Sequence, residues 1–197
     1  MRILSLDPSL NCTGWSVIDY KEEKYTLVDY GFIQVSHFDA ETEEDLKLMH
    51  IDKVMTKIFD TYKPEVVIAE SPFYSRNPKT LTRLSHVHGT LLLLSAKNGL
   101  RMKYYAPLTI KSVVLGGIKT KDEDGKKKTG TEMKKEVEAA VFKIFPRHLF
   151  LKEYTNDVTD AISVALTYIA KDGKGTVGSK DKVEKPKKEK KKKVDKE

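Results

Sequence analysis

The chain has 197 residues, of which 39% are hydrophobic and 33% charged, a balance typical of one globular domain with a well-solvated surface. Its central apolar run, Leu91–Leu94, is far too short to cross a bilayer. Its only cysteine, Cys12, excludes an intramolecular disulfide and a thiolate metal cluster. We therefore expect a cytoplasmic protein that is neither membrane-spanning nor disulfide-stabilised.

The net charge of +7 is concentrated towards the C-terminal end. From Lys171 onward there are 12 lysines and six acidic residues, whereas the first 170 residues carry 24 basic and 23 acidic ones. We expect residues 1–170 to form the domain and residues 171–197 to form a Lys-rich disordered tail, because the tail has almost no apolar residues. The tail is either a tether for nucleic acid or a solubilising extension, and so dense a lysine run favours the tether.

Three strands are predicted at the start of the domain, because apolar runs there are separated by short turns. Strands joined by short links pair antiparallel, so the three should form a meander. They are predicted at residues 2–7, 13–20 and 25–35.

A helix and a buried strand follow the meander. Helical spacing predicts a helix over residues 41–62, which ends before Pro64. Residues 65–70 are almost continuously apolar until Glu70, which is typical of a strand buried on both faces. The apolar stripe of the helix is predicted to contain Leu46, Met49, Val54, Ile58 and Phe59.

The second half of the domain is mainly helical. Residues 116–130 are predicted to form a loop rich in lysine, aspartate and glycine, and so long a loop is usually functional or disordered. The whole indicates an α/β fold in which helices flank a mixed sheet. Helices are predicted at residues 79–97, 107–115, 131–145 and 156–170, and a strand at residues 102–105.

Four carboxylates stand where these elements leave the core. Asp7 ends the first strand, Glu70 ends the fourth, and Asp157 and Asp160 share one face at the start of the last helix. A carboxylate at the edge of a buried strand is costly unless it is compensated, which suggests a shared cation. Oxygen ligands without nearby histidine or cysteine favour Mg²⁺ or Mn²⁺, and two such ions can promote phosphodiester hydrolysis.

Most of these acids also have a structural explanation. Asp7 could be a turn residue before Pro8, and Asp157 and Asp160 could favour the dipole of their helix. Glu70 has no simple structural explanation. The combination of the four acids, rather than any one of them, indicates a metal site.

These residues together resemble the RuvC family of Holliday-junction resolvases, within the RNase H-like superfamily. The resemblance spans about residues 1–170, and its Asp-Pro-Ser-Leu and Thr-Gly-Trp segments are closer to the bacteriophage-encoded branch. The segments that carry it are Ile3–Ser9, Thr13-Gly14-Trp15, Val67–Glu70 followed by Phe73, and Asn156–Ala161.

The resemblance implies an RNase H-like mixed five-stranded sheet flanked by helices, and a magnesium-dependent endodeoxyribonuclease. Asp7, Glu70, Asp157 and Asp160 fall on the family's metal-binding acids, which hold two Mg²⁺ ions, and Mn²⁺ is expected to substitute. The expected substrates are four-way junctions and other branched DNA such as forks. A homodimer should cut them and leave 5′-phosphate and 3′-hydroxyl ends.

The resemblance also implies DNA contacts. Phe73 falls on an aromatic that stacks on junction bases, although a core phenylalanine is the alternative. Lys111 and Lys134 match lysines near the scissile phosphate, with Lys135 as a competitor for the second position and ordinary solvated lysines as the alternative. The expected DNA-binding residues are Phe73, Tyr74, Arg76, Lys111, Lys119, Lys121, Lys134 and Lys135.

Three further features depart from these motifs or add to them. The helix around residues 81–94 resembles the family's dimer helix, in which Gly89 would allow close approach, although it could equally be a central core helix. Ser9 replaces the glycine usual in bacterial members. His86 and His88 have no motif partners, so we interpret them as structural or DNA-facing rather than as metal ligands.

Three other functions are alternatives to junction cleavage. A sugar-kinase or actin-like phosphotransferase also has an Asp and a Thr-Gly pair in its first hairpin, but it needs a second domain for which 197 residues leave no room. A non-catalytic protein that binds branched DNA would not need all four acids. A general RNase H-like nuclease on RNA–DNA hybrids would not need a dimer.

Overall fold

The computed structural model describes residues 1–39, 42–72, 77–117, 126, 128–150 and 152–173. Its five strands form one sheet in the order β3-β2-β1-β4-β5. The first three pair antiparallel as the predicted meander, whereas β1–β4 and β4–β5 pair in parallel. The strands are β1 (Arg2–Asp7), β2 (Cys12–Lys21), β3 (Lys24–Gln34), β4 (Val66–Glu70) and β5 (Met102–Tyr105).

A tight turn sets the register of β2 and β3. Glu22 and Glu23 both have positive φ, 51° and 62°, which is the backbone of the two-residue hairpin turn that matches the twist of its strands. Lys21 then pairs with Lys24. Neither glutamate is a residue type favoured in this turn, so the sequence signal for it is weak.

Helices cover both faces of the sheet. One apolar cluster joins α1 and α2 to side chains such as Leu4 and Val67, and the other joins α3, α4 and α5 to side chains such as Ile3 and Ile68. The central strands β1 and β4 are therefore buried on both faces, as their apolar runs predict. The helices are α1 (Glu44–Tyr62), α2 (Pro78–Lys97), α3 (Pro107–Val114), α4 (Gly130–Ile144) and α5 (Asn156–Lys171), with a 3₁₀ turn at Arg147–Leu149.

The predicted apolar stripe of α1 is wrong at its N-terminal end. Leu46 and Met49 are 43% and 66% exposed, whereas Lys47 is buried. The ammonium group of Lys47 donates a hydrogen bond to the carbonyl oxygen of Leu10 at 2.9 Å, which satisfies the turn after β1. A buried lysine with a backbone partner therefore occupies the inner face where leucine and methionine were expected.

The folded part continues slightly beyond residue 170. Lys171 ends α5, and the carboxylate of Asp172 accepts a hydrogen bond from the hydroxyl of Tyr105 on β5. The rest of the Lys-rich segment and most of the predicted loop at 116–130 lie outside the described residues. No helix in the described ranges has both the length and the apolarity needed to span a membrane.

Candidate active site

Acidic side chains from three elements meet at one edge of the sheet. β1 and β4 are adjacent and parallel, so Asp7 and Glu70 come to the same edge, one step beyond the pair Leu6–Ala69. The N-terminal turn of α5 adds two more acids there. A cavity of about 430 Å³ opens at this point, and its walls include Asp7, Glu70, Asp157, Asp160, Lys111 and Lys134.

Gly14 lets α5 approach the sheet. It pairs with Asp7 across the β1–β2 ladder. A Cβ atom at this position would lie 2.0 Å from the carbonyl oxygen of Asp157, so a larger residue would push the first turn of α5 away from Asp7. Thr155 also helps to fix Asp157, because its hydroxyl donates to Oδ2 of Asp157 at 3.1 Å. The positioning role of Gly14 was missed in the sequence, although a glycine inside a strand is itself a sign of close backbone approach.

The carboxylates in the cavity are poorly compensated. Burial raises the pKa of Asp7 well above its ordinary value, and the charges of Asp160, Glu70 and Asp157 raise it further. Burial and the charge of Asp160 raise the pKa of Glu70 to about 7. Burial likewise raises the pKa of Asp160, against the opposing effect of Lys134. The cavity therefore concentrates negative charge that its own lysines only partly offset.

The two lysines approach the acids from the α3–α4 side. The Lys134 ammonium lies 3.7 Å from Oδ2 of Asp160, and the positive charge of Lys111 lowers the pKa values of Glu70 and Asp160. Lys135, the competing candidate, is exposed and is not among the described residues that line the cavity. Of the two candidates, the structure thus brings Lys134 to the acids.

The donor set fits a hard divalent cation. Among the described residues, no three carboxylate, imidazole or thiol groups already form a metal-binding cluster, so the four acids share a cavity rather than a single point. Their mutual repulsion and burial are the conditions that a divalent cation relieves, and carboxylate oxygens are the ligands it prefers. The nearby Cys12 thiol is not among the described residues that line the cavity, and burial and Asp157 raise its pKa to about 12.

Five of the predicted DNA contacts lie outside the described residues: Phe73, Tyr74, Arg76, Lys119 and Lys121. In contrast, His88, which we interpreted from the sequence as structural or DNA-facing, lines the same cavity as the acids. Gly89 lies on the exposed side of α2, with open space where a Cβ would be.

The sheet order and the likeness to solved structures define an RNase H-like fold, and at one edge of its sheet the acids of adjacent parallel strands lie beside the helix-borne acids. A family model described as "Crossover junction endodeoxyribonuclease RuvC" matches residues 3–168. The chain belongs to the RuvC family of crossover junction endodeoxyribonucleases. The family and fold expected from the sequence are thereby confirmed.

Individual relatives agree with this assignment. The chain is 32% identical over 171 residues to the crossover junction endodeoxyribonuclease RuvC of Fusobacterium nucleatum, which covers 86% of this chain and 80% of that protein. Its fold is similar to T. thermophilus RuvC in complex with Holliday junction substrate, with a TM-score of 0.65, 20% identity and coverage of 85% and 92% of the two chains. The fold is also similar to that of Fowlpox virus resolvase, solved with substrate Holliday junction DNA. The TM-score is 0.55 at 14% identity, and the match covers 86% of this chain and 97% of that chain.

Proposed function

We propose that this protein resolves Holliday junctions by metal-dependent hydrolysis of one phosphodiester in each of two opposing strands. The observation that carries the proposal is the convergence of four acids and two lysines on one cavity in a member of the RuvC family. T. thermophilus RuvC and Fowlpox virus resolvase, which have similar folds, have been solved with Holliday junction DNA, and this is the substrate class that we transfer to this chain.

The four acids and the two lysines of the cavity each have a proposed role. Asp7, Glu70, Asp157 and Asp160 bind two Mg²⁺ ions, for which Mn²⁺ substitutes. When bound, the ions would supply an activated water and would stabilise the leaving oxygen, and the expected products have 5′-phosphate and 3′-hydroxyl ends. Lys111 and Lys134 offset the negative charge of the phosphate from the α3–α4 side.

The DNA path is proposed to extend beyond the cavity. Phe73 stacks on an unpaired base at the junction, and the neighbouring polar and basic side chains hold the backbone. Backbone contacts of this kind position the substrate without reading its sequence. The proposed contacts outside the catalytic acids are Phe73, Tyr74, Arg76, Lys111, Lys119, Lys121, Lys134 and Lys135.

A homodimer is proposed through the outer face of α2. Exposed positions recur there at helical spacing, and Leu92 and Leu93 are 47% and 57% exposed. Gly89 lies on the same face of α2, and on the adjacent α1 the side chain of Met49 is 66% exposed. An isologous dimer has the two-fold symmetry of a four-way junction, so it can present one cavity to each of two opposing strands.

A cleavage panel tests the proposed function. The full-length protein is incubated in Mg²⁺ with a four-way junction, a fork, linear duplex DNA and an RNA–DNA hybrid, and the product ends are mapped. We expect paired incisions in the junction, with 5′-phosphate ends, and little cutting of the linear duplex. Preferential cutting of the hybrid would replace this proposal with a general RNase H activity, and junction binding without cutting would favour a non-catalytic role.

Two finer points are part of the proposal. The segments Asp7–Leu10 and Thr13–Trp15 support a bacteriophage-encoded branch of the family, whose members would act in the cytoplasm of the host. The Lys-rich segment is proposed to tether DNA electrostatically. Truncation after Gly173 keeps the contact between Asp172 and Tyr105 and should weaken binding and flatten its salt dependence, whereas loss of cutting at saturating protein would contradict a tether.

A further inference from the structure

His88 is a buried polar residue in the wall of the catalytic cavity. It lies on α2, is only 7% exposed and lines the cavity together with Leu84, one helical turn earlier. Because α2 covers the opposite face of the sheet from α3 and α4, His88 borders the cavity on the side away from Lys111 and Lys134. Neither the four acids nor the two lysines need it for the roles assigned above.

One ring nitrogen of His88 has no partner. Within the described part of the chain, Nδ1 is buried and makes no hydrogen bond. Buried polar atoms in folded proteins nearly always have a partner, so each exception calls for an explanation. The ring also packs beside Tyr104, with centroids 6.1 Å apart and planes tilted by 36°. This packing holds the imidazole in place without satisfying its nitrogen.

Neither a role as a metal ligand nor a role as a cationic partner for phosphate fits His88. A metal-binding histidine usually donates its second ring N–H to a carboxylate, carbonyl or water, and the described residues offer Nδ1 no such acceptor. Burial also lowers the pKa of His88, which keeps the ring neutral near pH 7 and makes it a poor cationic partner for phosphate. Of the two ring nitrogens, only Nδ1 is both buried and without a partner in the described part of the chain, so we take Nε2 as the nitrogen that faces the cavity lined by His88.

The surroundings of His88 resemble a surface for a base more than one for a phosphate. Leu84 and Pro72 line the cavity on this side, and Tyr104 lies against the imidazole ring. The lysines that attract phosphate stand on the other wall. A neutral hydrogen-bonding group among apolar and aromatic neighbours suits the edge of a nucleobase.

We propose that His88 is a specificity residue that hydrogen-bonds, through Nε2 of its imidazole, to a nucleobase next to the scissile phosphate. This inference rests on the proposed function, because it requires a DNA strand in the cavity. The lysines contact the phosphate from one wall of the cavity, and His88 hydrogen-bonds to the adjacent base from the opposite wall. A junction with an unfavourable base at this position is then cut more slowly, although its backbone contacts are unchanged.

Stability and DNA affinity of His88→Leu provide the first test. Leucine removes the unpartnered nitrogen at similar volume, so the thermal midpoint should stay the same or rise. Affinity for a four-way junction, measured in EDTA so that nothing is cut, should fall about tenfold. A lower midpoint with unchanged affinity would show that His88 is structural. His37→Ala, which changes an exposed histidine outside the cavity, is the matched control and should alter neither quantity.

Salt dependence and sequence preference provide the second test. A neutral contact leaves the slope of log affinity against log salt unchanged in His88→Leu, whereas a slope smaller by about one would reveal a charged phosphate contact and overturn the proposal. In Mg²⁺, junctions that differ only in the bases flanking the cut should be cleaved at more similar rates by His88→Leu than by wild type. Uniform slowing of every sequence would also overturn it.

His88→Gln separates hydrogen bonding from shape. Glutamine carries an amide nitrogen at about the reach of Nε2, so it should restore part of the lost affinity and discrimination. Failure of the wild-type protein to bind or cut any junction would defeat the proposed function itself. Normal wild-type activity combined with a His88→Leu variant that matches it would defeat the role of His88 alone.

Discussion

The two ends of the β1–β2 ladder each hold an aspartate, and the two aspartates lie in opposite electrostatic environments. At one end, Arg2 lies opposite Asp19 and donates two hydrogen bonds to its carboxylate, both at 2.8 Å. At the other end, Asp7 lies opposite Gly14, which has no side chain to offer. The Arg2 hydrogen bonds lower the pKa of Asp19, whereas burial and three like charges raise that of Asp7.

The contrast separates an acid that supports folding from acids that oppose it. A carboxylate whose pKa is lowered on folding adds stability at neutral pH, and one whose pKa is raised subtracts stability there. The carboxylates of the cavity therefore lower the stability of the folded protein at neutral pH when nothing is bound there. Such a set is expected where a cation or substrate supplies the missing compensation.

Asp7→Asn should break this contrast with the largest effect. The substitution removes a central carboxylate while keeping its shape, so junction cleavage in Mg²⁺ should fall at least about a thousandfold, with junction binding intact or tighter. Removing a buried, repelled charge should also raise the thermal midpoint. Asp19→Asn is the matched control on the same ladder and should cut at the wild-type rate. Cleavage by Asp7→Asn at the wild-type rate would refute the site.

Gly14→Ala should produce the next largest effect. The added Cβ would meet the Asp157 carbonyl oxygen at 2.0 Å, so the first turn of α5 must shift away from Asp7. We expect a loss of about 1–3 kcal/mol in the free energy of unfolding and about a hundredfold slower cleavage. Calorimetry and single-turnover cleavage measure the two. Gly130→Ala, at the start of α4 and with open space where its Cβ would be, controls for the intrinsic change from glycine to alanine.

The pH dependence of stability should show the cost of the cavity charges directly. The folded pKa of Glu70, about 7, exceeds its ordinary value of 4.5, so the folded protein holds a proton that the unfolded chain releases between these values. Without metal, the favourable contribution is complete below the unfolded pKa and is lost as the pH rises through about 7.

Thermal melts in EDTA between about pH 5 and pH 8 measure this effect. The midpoint of the wild type should fall over this range relative to Glu70→Gln, by a few degrees for each kcal/mol. Addition of Mg²⁺ at pH 8 should raise the wild-type midpoint and have little effect on Asp7→Asn. A wild-type curve parallel to that of Glu70→Gln would show that the Glu70 carboxylate is not under this strain.

The sequence predicted the framework of the site better than its details. The apolar runs that end at Asp7 and Glu70 place both acids, because parallel neighbours bring their carboxyl ends to one edge. Leu46 and Met49 were assigned to the wrong face of α1. The inner face there holds Lys47, whose partner is a backbone carbonyl that no periodicity reveals. The proposed role of His88 depends on its place in the wall of the cavity, and the role of Gly14 depends on Asp157, 143 residues later in the chain, so both required three dimensions.

Asp19→Asn should produce the smallest effect and complete the comparison. The ion pair with Arg2 is partly exposed, so its loss should cost only about 0.5–1 kcal/mol at pH 7. Because folding lowers the pKa of Asp19, this stability is present above the ordinary value of 3.8 and is lost as the pH falls through the folded pKa. The difference between the variant and the wild type should therefore shrink in acid, whereas the Glu70→Gln difference should grow towards alkaline pH. Urea unfolding of both variants across the pH range measures the two trends. Slopes of the same sign would show that the paired Asp19 and the cavity carboxylate Glu70 do not differ in this way.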